Sequence, residues 1–467
     1  MLLRPRTLLL RLCLAALVAG AFLASRAQMQ APAQVAWLDP YRDAATRLIE
    51  ASTSDDFAWQ RLAELTDTYG HRLSGSENLN RAIEWAAETM TRDGLENVHT
   101  ERVMVPHWVR GRESAEIVGP PRRPLTILGL GGSVGTPSEG IEAEVIVVSS
   151  FADLRARSGE VRGRIVLFNV PFTTYGETVT YRTGGARAAA QLGAVAALVR
   201  SIGPTGLRTP HTGSLQYAEG VAPIPAAAVA AEDADRISRL RARGVPVRVR
   251  LTMGAHAEAD VESANVVGEI RGRERPEEVV LLGGHLDSWD VGTGASDDGV
   301  GCVVTWEAAR LMVKLGIRPR RTIRIVFWTN EENGLRGAAA YAATYAAQAA
   351  DHVLAVESDS GVFEPASIGF SGNTAARALV RDIGTLLRPI GLEEIVEGGG
   401  GADIGPIAQA GGVPMLAYLG NPARYFAIHH TPADTIERIA PEEVSRAAAA
   451  LAVMAYVVAE MPERLPH

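Results

Sequence analysis

Val279-Val280-Leu281-Leu282-Gly283-Gly284-His285-Leu286-Asp287-Ser288-Trp289-Asp290 is an unbroken aliphatic run that opens, through two glycines, onto a loop carrying a histidine and two aspartates. Four consecutive aliphatic residues ended by glycine read as a short strand buried on both faces. The same grammar recurs downstream. Arg324–Trp328 opens onto Thr329-Asn330-Glu331-Glu332-Asn333, and Val353–Glu357 opens onto Ser358-Asp359-Ser360-Gly361. Ile368–Phe370 and Pro414–Tyr418 are further strand candidates. Helical periodicity marks Cys302–Leu315, Gly337–Ala350, Ala375–Leu387 and Pro441–Glu460. Strands alternating with helices specify an α/β fold, here a mostly parallel mixed sheet flanked by helices. Such sheets carry their sites in loops at the carboxyl ends of the strands.

Upstream the pattern changes. Residues 36–107 read as helical, most clearly at Phe57–Tyr69 and the amphipathic Asn78–Thr91. Residues 125–255 read as an inserted, smaller, β-rich α/β unit. Its strands fall at Ala143–Ser149, Gly163–Val170, Ala194–Val199, Ile224–Val229 and Val247–Met253, with an Ala-rich helix at Gly184–Leu192. Residues 28–124 and 256–467 then form the two parts of the main domain, the second carrying the loops. Residues 1–27 read as a secretory signal: Arg4, Arg6 and Arg11 accompany a Leu/Ala run ending near Leu23, and Ser25-Arg26-Ala27 offers a cleavage site. The expected location is therefore secreted or periplasmic, with no membrane attachment once the leader is removed. The cysteines are Cys13, inside that leader, and Cys302, so the mature chain has no intrachain disulfide.

The 467 residues are 47% hydrophobic and 21% charged, which fits a folded protein of two or three domains. A formal net charge of −8 argues against a nucleic-acid partner. Lys314 is the sole lysine, so Schiff-base chemistry has a single amine to draw on.

His285, Asp297, Glu331-Glu332, Asp359 and His429-His430 lie on successive loops, most of them at the strand ends of one sheet. Imidazole and carboxylate donors without thiolate suit zinc, with cobalt or manganese also compatible. Two histidines and three carboxylates exceed what one four-coordinate ion with an open position can use. They suit two ions about 3.5–4 Å apart that share a carboxylate, a recurrent hydrolytic device. In the Glu-Glu pair, one residue can bind metal while the other moves a proton. Asp287 is placed to orient the His285 imidazole. Singly, these features have plainer readings: a turn aspartate, a helix N-cap at Asp297 or Asp298, a solvated glutamate pair. Their joint placement at strand ends has no such reading.

Other features carry less. Cys302 reads as a small buried hydrophobe and His211 as a loop or interface residue. Gly131-Gly132-Ser133-Val134-Gly135 matches a nucleophile elbow, yet Thr136-Pro137 follows where a helix is needed. The glycines at 398–401 lack the Lys-Ser/Thr of a phosphate loop.

Residues 283–301, 329–337, 357–361 and 429–435 resemble the M28 family of co-catalytic zinc peptidases, and more closely its carboxypeptidase branch. The similarity extends to Leu130–Gly140, Tyr181-Arg182-Thr183 and Pro210-His211-Thr212-Gly213. The resemblance implies two zinc ions per chain, His285 and Asp359 on one, Glu332 and His430 on the other, with Asp297 bridging and Glu331 as general base. His430 takes precedence over His429 because the family's ligand stands four residues before the acid of its last motif, here Asp434. It further implies a protease-associated insert at 125–255, a homodimer, and a substrate that is a dipeptide or short peptide with free termini. Tyr425, Arg424 and the Gly398–Asp403 loop are candidates for holding a substrate terminus. The chain departs from the family pattern at Asn330 and Asn333–Arg336. An aminopeptidase on longer peptides, an amidohydrolase of N-acyl amino acids, or a non-catalytic binding protein would use the same scaffold.

Overall fold

Runs of branched and small apolar residues, each bounded by glycine-bearing loops, build two eight-stranded sheets. The computed structural model describes residues 35–119 and 122–467. The leader read at 1–27 lies outside them. Contacts divide the chain at Tyr41: the first unit contributes the short 3-10 turn Ala36–Tyr41, and Arg42–His467 forms the second.

In the first sheet the strand order is Glu96–Val105, Val261–Ile270, Arg321–Trp328, Arg275–His285, His352–Glu357, Met415–Leu419, Ser367–Ser371 and Ile395–Glu397. The four central strands, Arg321–Trp328 to Met415–Leu419, are mutually parallel, and their neighbours on both sides run antiparallel to them. Residues 279–285 are buried throughout, as a strand covered on both faces requires. Leu281 and Val326 point with Ala338, Tyr341, Ile404 and Ile407 into one apolar cluster. On the opposite face lie Val300–Lys314 and Pro441–Glu460, packed on each other and on the central strands. Pro441–Glu460 is buried along nearly its whole length, which explains why its sequence is apolar all round. Lys314 ends its helix at the surface, 3.8 Å from Asp55.

The second sheet runs Arg123–Leu125, Glu113–Val118, Arg248–Met253, Ile141–Val148, Ile165–Phe168, Ala196–Arg200, Ala226–Val229 and Ile127–Gly129. Its middle, Ile141–Val148 to Ala226–Val229, is parallel. Helix Ala231–Ala242 covers one face through Ala234 and Ile237. Helix Tyr175–Gln191 covers the other through Ala186 and Ala189. The sheet takes in Glu113–Val118, which lies ahead of residue 125, and Arg123–Leu125, which begins ahead of it. Leu73, Trp108, Ala255 and Trp289 close a small apolar cluster beside Asp290, which is ion-paired with Arg110. A Cβ at Gly131 would stand 1.9 Å from the Trp289 ring, so only glycine permits this approach.

One departure from the sequence reading concerns 36–107. Its helices end at Arg92, and Glu96–Val105 is a strand instead, antiparallel to Val261–Ile270. It is the sheet's edge, and Glu96, His99, Glu101 and Arg102 leave it without an apolar alternation to read.

Candidate metal centre

The loops that follow the four parallel strands converge at one end of the first sheet. His285, the last residue of its strand, is fixed through Nδ1, which lies 2.9 Å from the main-chain carbonyl of Asp287. Its Nε2 is thereby left facing Asp297 Oδ1 at 3.3 Å and Asp359 Oδ1 at 3.7 Å. His430 turns its Nε2 to Asp297 Oδ2 at 3.1 Å and to Glu332 Oε2 at 3.0 Å. Asp297 therefore shows one carboxylate oxygen to each histidine. His429 stacks on His430 with ring centroids 3.6 Å apart, and its Nε2 lies 3.5 Å from Asp297 Oδ2. Donor atoms of His285, Asp297 and Asp359 fall within 4.8 Å of one another, as do those of Asp297, His429 and His430.

Surrounding groups hold this arrangement. The Asp434 carboxylate accepts the N–H groups of Ser296, at 2.7 Å, and Asp297, at 3.2 Å. The Asp287 carboxylate accepts the N–H groups of Glu331, at 3.0 Å, and Glu332, at 3.3 Å, so it sets the glutamate turn. It stands 3.8 Å from His285 Nδ1, and that imidazole is oriented by the residue's carbonyl instead. Asp298 accepts from the His285 N–H and from Gly301 at the start of the helix, tying strand end to helix start. His430 adopts a φ of +60°, in the left-handed region, while its carbonyl accepts the Thr212 N–H at 3.0 Å and its Nδ1 lies 3.3 Å from the Thr212 carbonyl. Its neighbour His211 is buried, with Nδ1 donating to the His429 carbonyl at 2.6 Å. Burial holds that imidazole at a pKa of about 3, hence neutral.

The charges do not balance within the protein. Burial raises the Glu331 carboxyl well above its ordinary range, and Asp359 and Glu332 add to the effect. Burial, with Asp297 adding, brings Glu332 to about 7, and burial with Asp359 does the same to Glu357. Asp297 stays well below its usual value in spite of burial, because the imidazoles of His285 and His430 stand against its carboxylate. Both imidazoles are pushed well up against their own burial, largely by these carboxylates. His285 Nε2 and Asp297 Oδ2 nevertheless have no hydrogen-bond partner of sound geometry. Buried carboxylates facing buried imidazoles in this way lack positive charge, and divalent cations with N/O preference supply it. The donor set fits zinc.

Residues 265–455 match the model of Peptidase family M28. Human carboxypeptidase Q is 46% identical over 410 residues, spanning 88% of this chain and 87% of that protein. This chain belongs to peptidase family M28. It is a metallo-exopeptidase with the mixed α/β fold of that family. The crystal structure of a Peptidase M28 precursor from Shewanella amazonensis superposes with a TM-score of 0.88 at 35% identity, over 92% of this chain and 99% of that one. A zinc aminopeptidase from Bacillus subtilis, 20% identical over 87% of this chain and 96% of its own, shares the fold with a TM-score of 0.66.

In this M28 peptidase the converging loops open into a cavity of about 540 Å³, a size suited to a small ligand. Glu331, Glu332, Asp297, Asp359, His429 and His430 line its floor, and Asn333, Gly334 and Leu335 one wall. Tyr175, Arg182, Ser214, Leu215 and Gln216 reach it from the second sheet's side. Of the candidates for a substrate terminus, Tyr425 is at the cavity, its hydroxyl 3.4 Å from Asp359 Oδ1. Arg424 is instead paired with Glu443, and in the Gly398–Asp403 loop the Asp403 N–H donates to buried Glu357. Sequence reasoning missed Arg182 and the positioning contacts of Thr212. Both lie in stretches quoted above, in a unit with no ligand-like pattern of its own. Ser133 Oγ accepts the Ala226 N–H in a loop with no helix after it, so the elbow geometry is absent. Cys302 is buried, with Sγ against the His285 carbonyl and its thiol pKa pushed well up by burial.

Proposed function

We propose that this peptidase is an exported di-zinc enzyme that hydrolyses the peptide bond of dipeptides or short peptides with free termini. The observation that carries the reading is Asp297, whose two oxygens face two separate histidine–carboxylate sets. His285 and Asp359 would hold one zinc ion, Glu332 and His430 the other, and Asp297 both. Bound there, the ions supply a Lewis acid for the scissile carbonyl and bring the pKa of the attacking water toward about 7. Glu331 lines the cavity beside these ligands, and burial raises its pKa, which favours its picking up a proton. It takes a proton from the attacking water and delivers it to the leaving amine nitrogen. His429, buried and kept neutral by burial and by the adjacent His430, backs the His430 ring without a carboxylate of its own besides Asp297. The unit built on the second sheet is the protease-associated insert and forms one wall of the cavity. Export rests on the reading of residues 1–27, and assembly as a homodimer on the family likeness; sedimentation of the mature protein reads the latter directly.

The test is metal analysis of the purified mature protein together with dipeptide hydrolysis before and after chelation. About two zinc ions per chain are expected, with activity lost on chelation and restored by zinc. Folded, zinc-loaded protein that hydrolyses no dipeptide overturns the reading.

A further inference from the structure

Among the described residues that line the cavity, Arg182 is the only arginine or lysine. It projects from the helix Tyr175–Gln191 and is 5% exposed. A guanidinium so buried is ordinarily paired with a carboxylate. None of the ion pairs among the described residues involves Arg182. Its oxygen partners are the Thr212 carbonyl, 3.3 Å from Nη1, and the Tyr175 hydroxyl, 2.9 Å from Nη2, while Nε has none. Five N–H groups are available on a guanidinium; Thr212, Tyr175 and His430 Nδ1 engage three of them, so two remain uncommitted. The group is also held in place. Gly213 passes directly over it, and a Cβ there would stand 2.3 Å from the guanidinium carbon. Nη1 lies 3.4 Å from Nδ1 of His430, whose other nitrogen faces Glu332 and Asp297.

We propose that Arg182 binds the free carboxylate at the C-terminus of the substrate, and so sets the enzyme to release a single C-terminal residue. This rests on the peptidase reading above. A planar guanidinium is built for bidentate carboxylate recognition. The uncompensated charge and uncommitted donors of Arg182 are satisfied when such a carboxylate arrives. One residue, about 3.3–3.6 Å of chain, separates the scissile bond of a dipeptide from that carboxylate. A carboxylate on Arg182 therefore places the preceding peptide bond close to His430 and its ligand partners. A longer peptide cut near its amino end would have to run its chain through the same position, leaving the guanidinium buried and unpaired.

The experiment compares alanyl-alanine with alanyl-alaninamide on the zinc-loaded full chain, in the wild type, Arg182→Ala and Arg182→Lys. The two substrates share the bond to be cut and differ in the terminal charge. The wild type is expected to favour the free acid by about 100-fold or more in kcat/KM, the scale of an unpaired buried charge. In Arg182→Ala that ratio collapses toward one, chiefly through the KM of the free acid, with zinc content unchanged. Arg182→Lys keeps the charge but loses the fork, and the ratio falls part of the way. A wild-type ratio near one overturns the proposal. So does an unchanged ratio with both activities lowered together, or loss of zinc in the variants, either of which makes Arg182 a support for His430. Should Arg182→Ala fail to fold, an unchanged ratio in Arg182→Lys overturns it equally. Wild type that cleaves neither substrate overturns the dipeptidase reading itself, and this proposal with it.

Discussion

Asp297 and Glu331 lie at the same cavity with opposite electrostatics. Asp297 is pinned as an anion by two imidazoles, whereas burial, reinforced by neighbouring carboxylates, drives Glu331 toward its neutral form. The first is suited to holding cations, the second to exchanging a proton. Glu331→Gln keeps the shape and removes the exchange. Its turnover should fall roughly 10²–10⁴-fold, with the zinc content of the purified variant equal to wild type. Full activity with the same metal content would move the base elsewhere. The residue types of this centre were legible because His285, Glu331, Glu332 and Asp359 stand at or just past strand ends, with Asp297 and His430 further along the loops that follow. What the sequence did not show is how their orientation is set. The carbonyl of Asp287 and that of Thr212 are main-chain groups, with no side-chain pattern to read. Asp287 is an instructive intermediate: its position beside His285 is plain in the sequence, yet its carboxylate serves the glutamate turn 44 residues on.

Among the elements, the strand His352–Glu357 carries a titratable anchor far from the ligands in the sheet's packing. His352 is 1% exposed; its Nδ1 donates to the Gln348 carbonyl at 3.1 Å, and its Nε2 accepts from Tyr341 at 3.0 Å. Arg324 donates in turn to the Tyr341 hydroxyl at 3.1 Å. The relay needs a neutral imidazole, and burial, with Arg324 adding, lowers the His352 pKa to about 4. An unfolded histidine titrates near 6.5. The unfolded state therefore binds more protons between those values, so stability is intact above about pH 6.5 and is lost as pH falls toward 4. The loss attributable to this residue is on the order of 3 kcal/mol. Denaturant unfolding of His352→Gln across that range should show a flatter decline than wild type; parallel curves would remove the effect from His352. The central strands and the long helices of this sheet were legible, because burial on both faces makes their sequences continuously apolar. Glu96–Val105 was not, since an edge strand pairs through its backbone and its side chains stay polar. Glu113–Val118 escaped assignment to the second sheet for a related reason: its partner, Arg248–Met253, lies 130 residues on, and no local pattern announces a pairing at that distance.

For the molecule as a whole, the join between the two sheets is as consequential as either core. His211 and Thr212 hold the His429-His430 backbone, and Gly131 lies against the ring of Trp289, whose main-chain N–H donates to Glu332. Gly131→Ala forces Trp289 away and should destabilise the fold by about 1–3 kcal/mol, the scale of overpacking. Because the Trp289 main chain is bonded to the proposed ligand Glu332, activity should fall along with the melting temperature. A variant as stable and active as wild type would show that the join is slack. The surface at the far side has its own use. The helix Val300–Lys314 starts beside the ligand turn and runs 15 residues to Lys314, so the two lie about 21 Å apart along its axis. That half-exposed ammonium is the chain's single side-chain amine. Amine-directed coupling to a resin or a dye thus has one side-chain address, at the end of this helix away from the ligand turn.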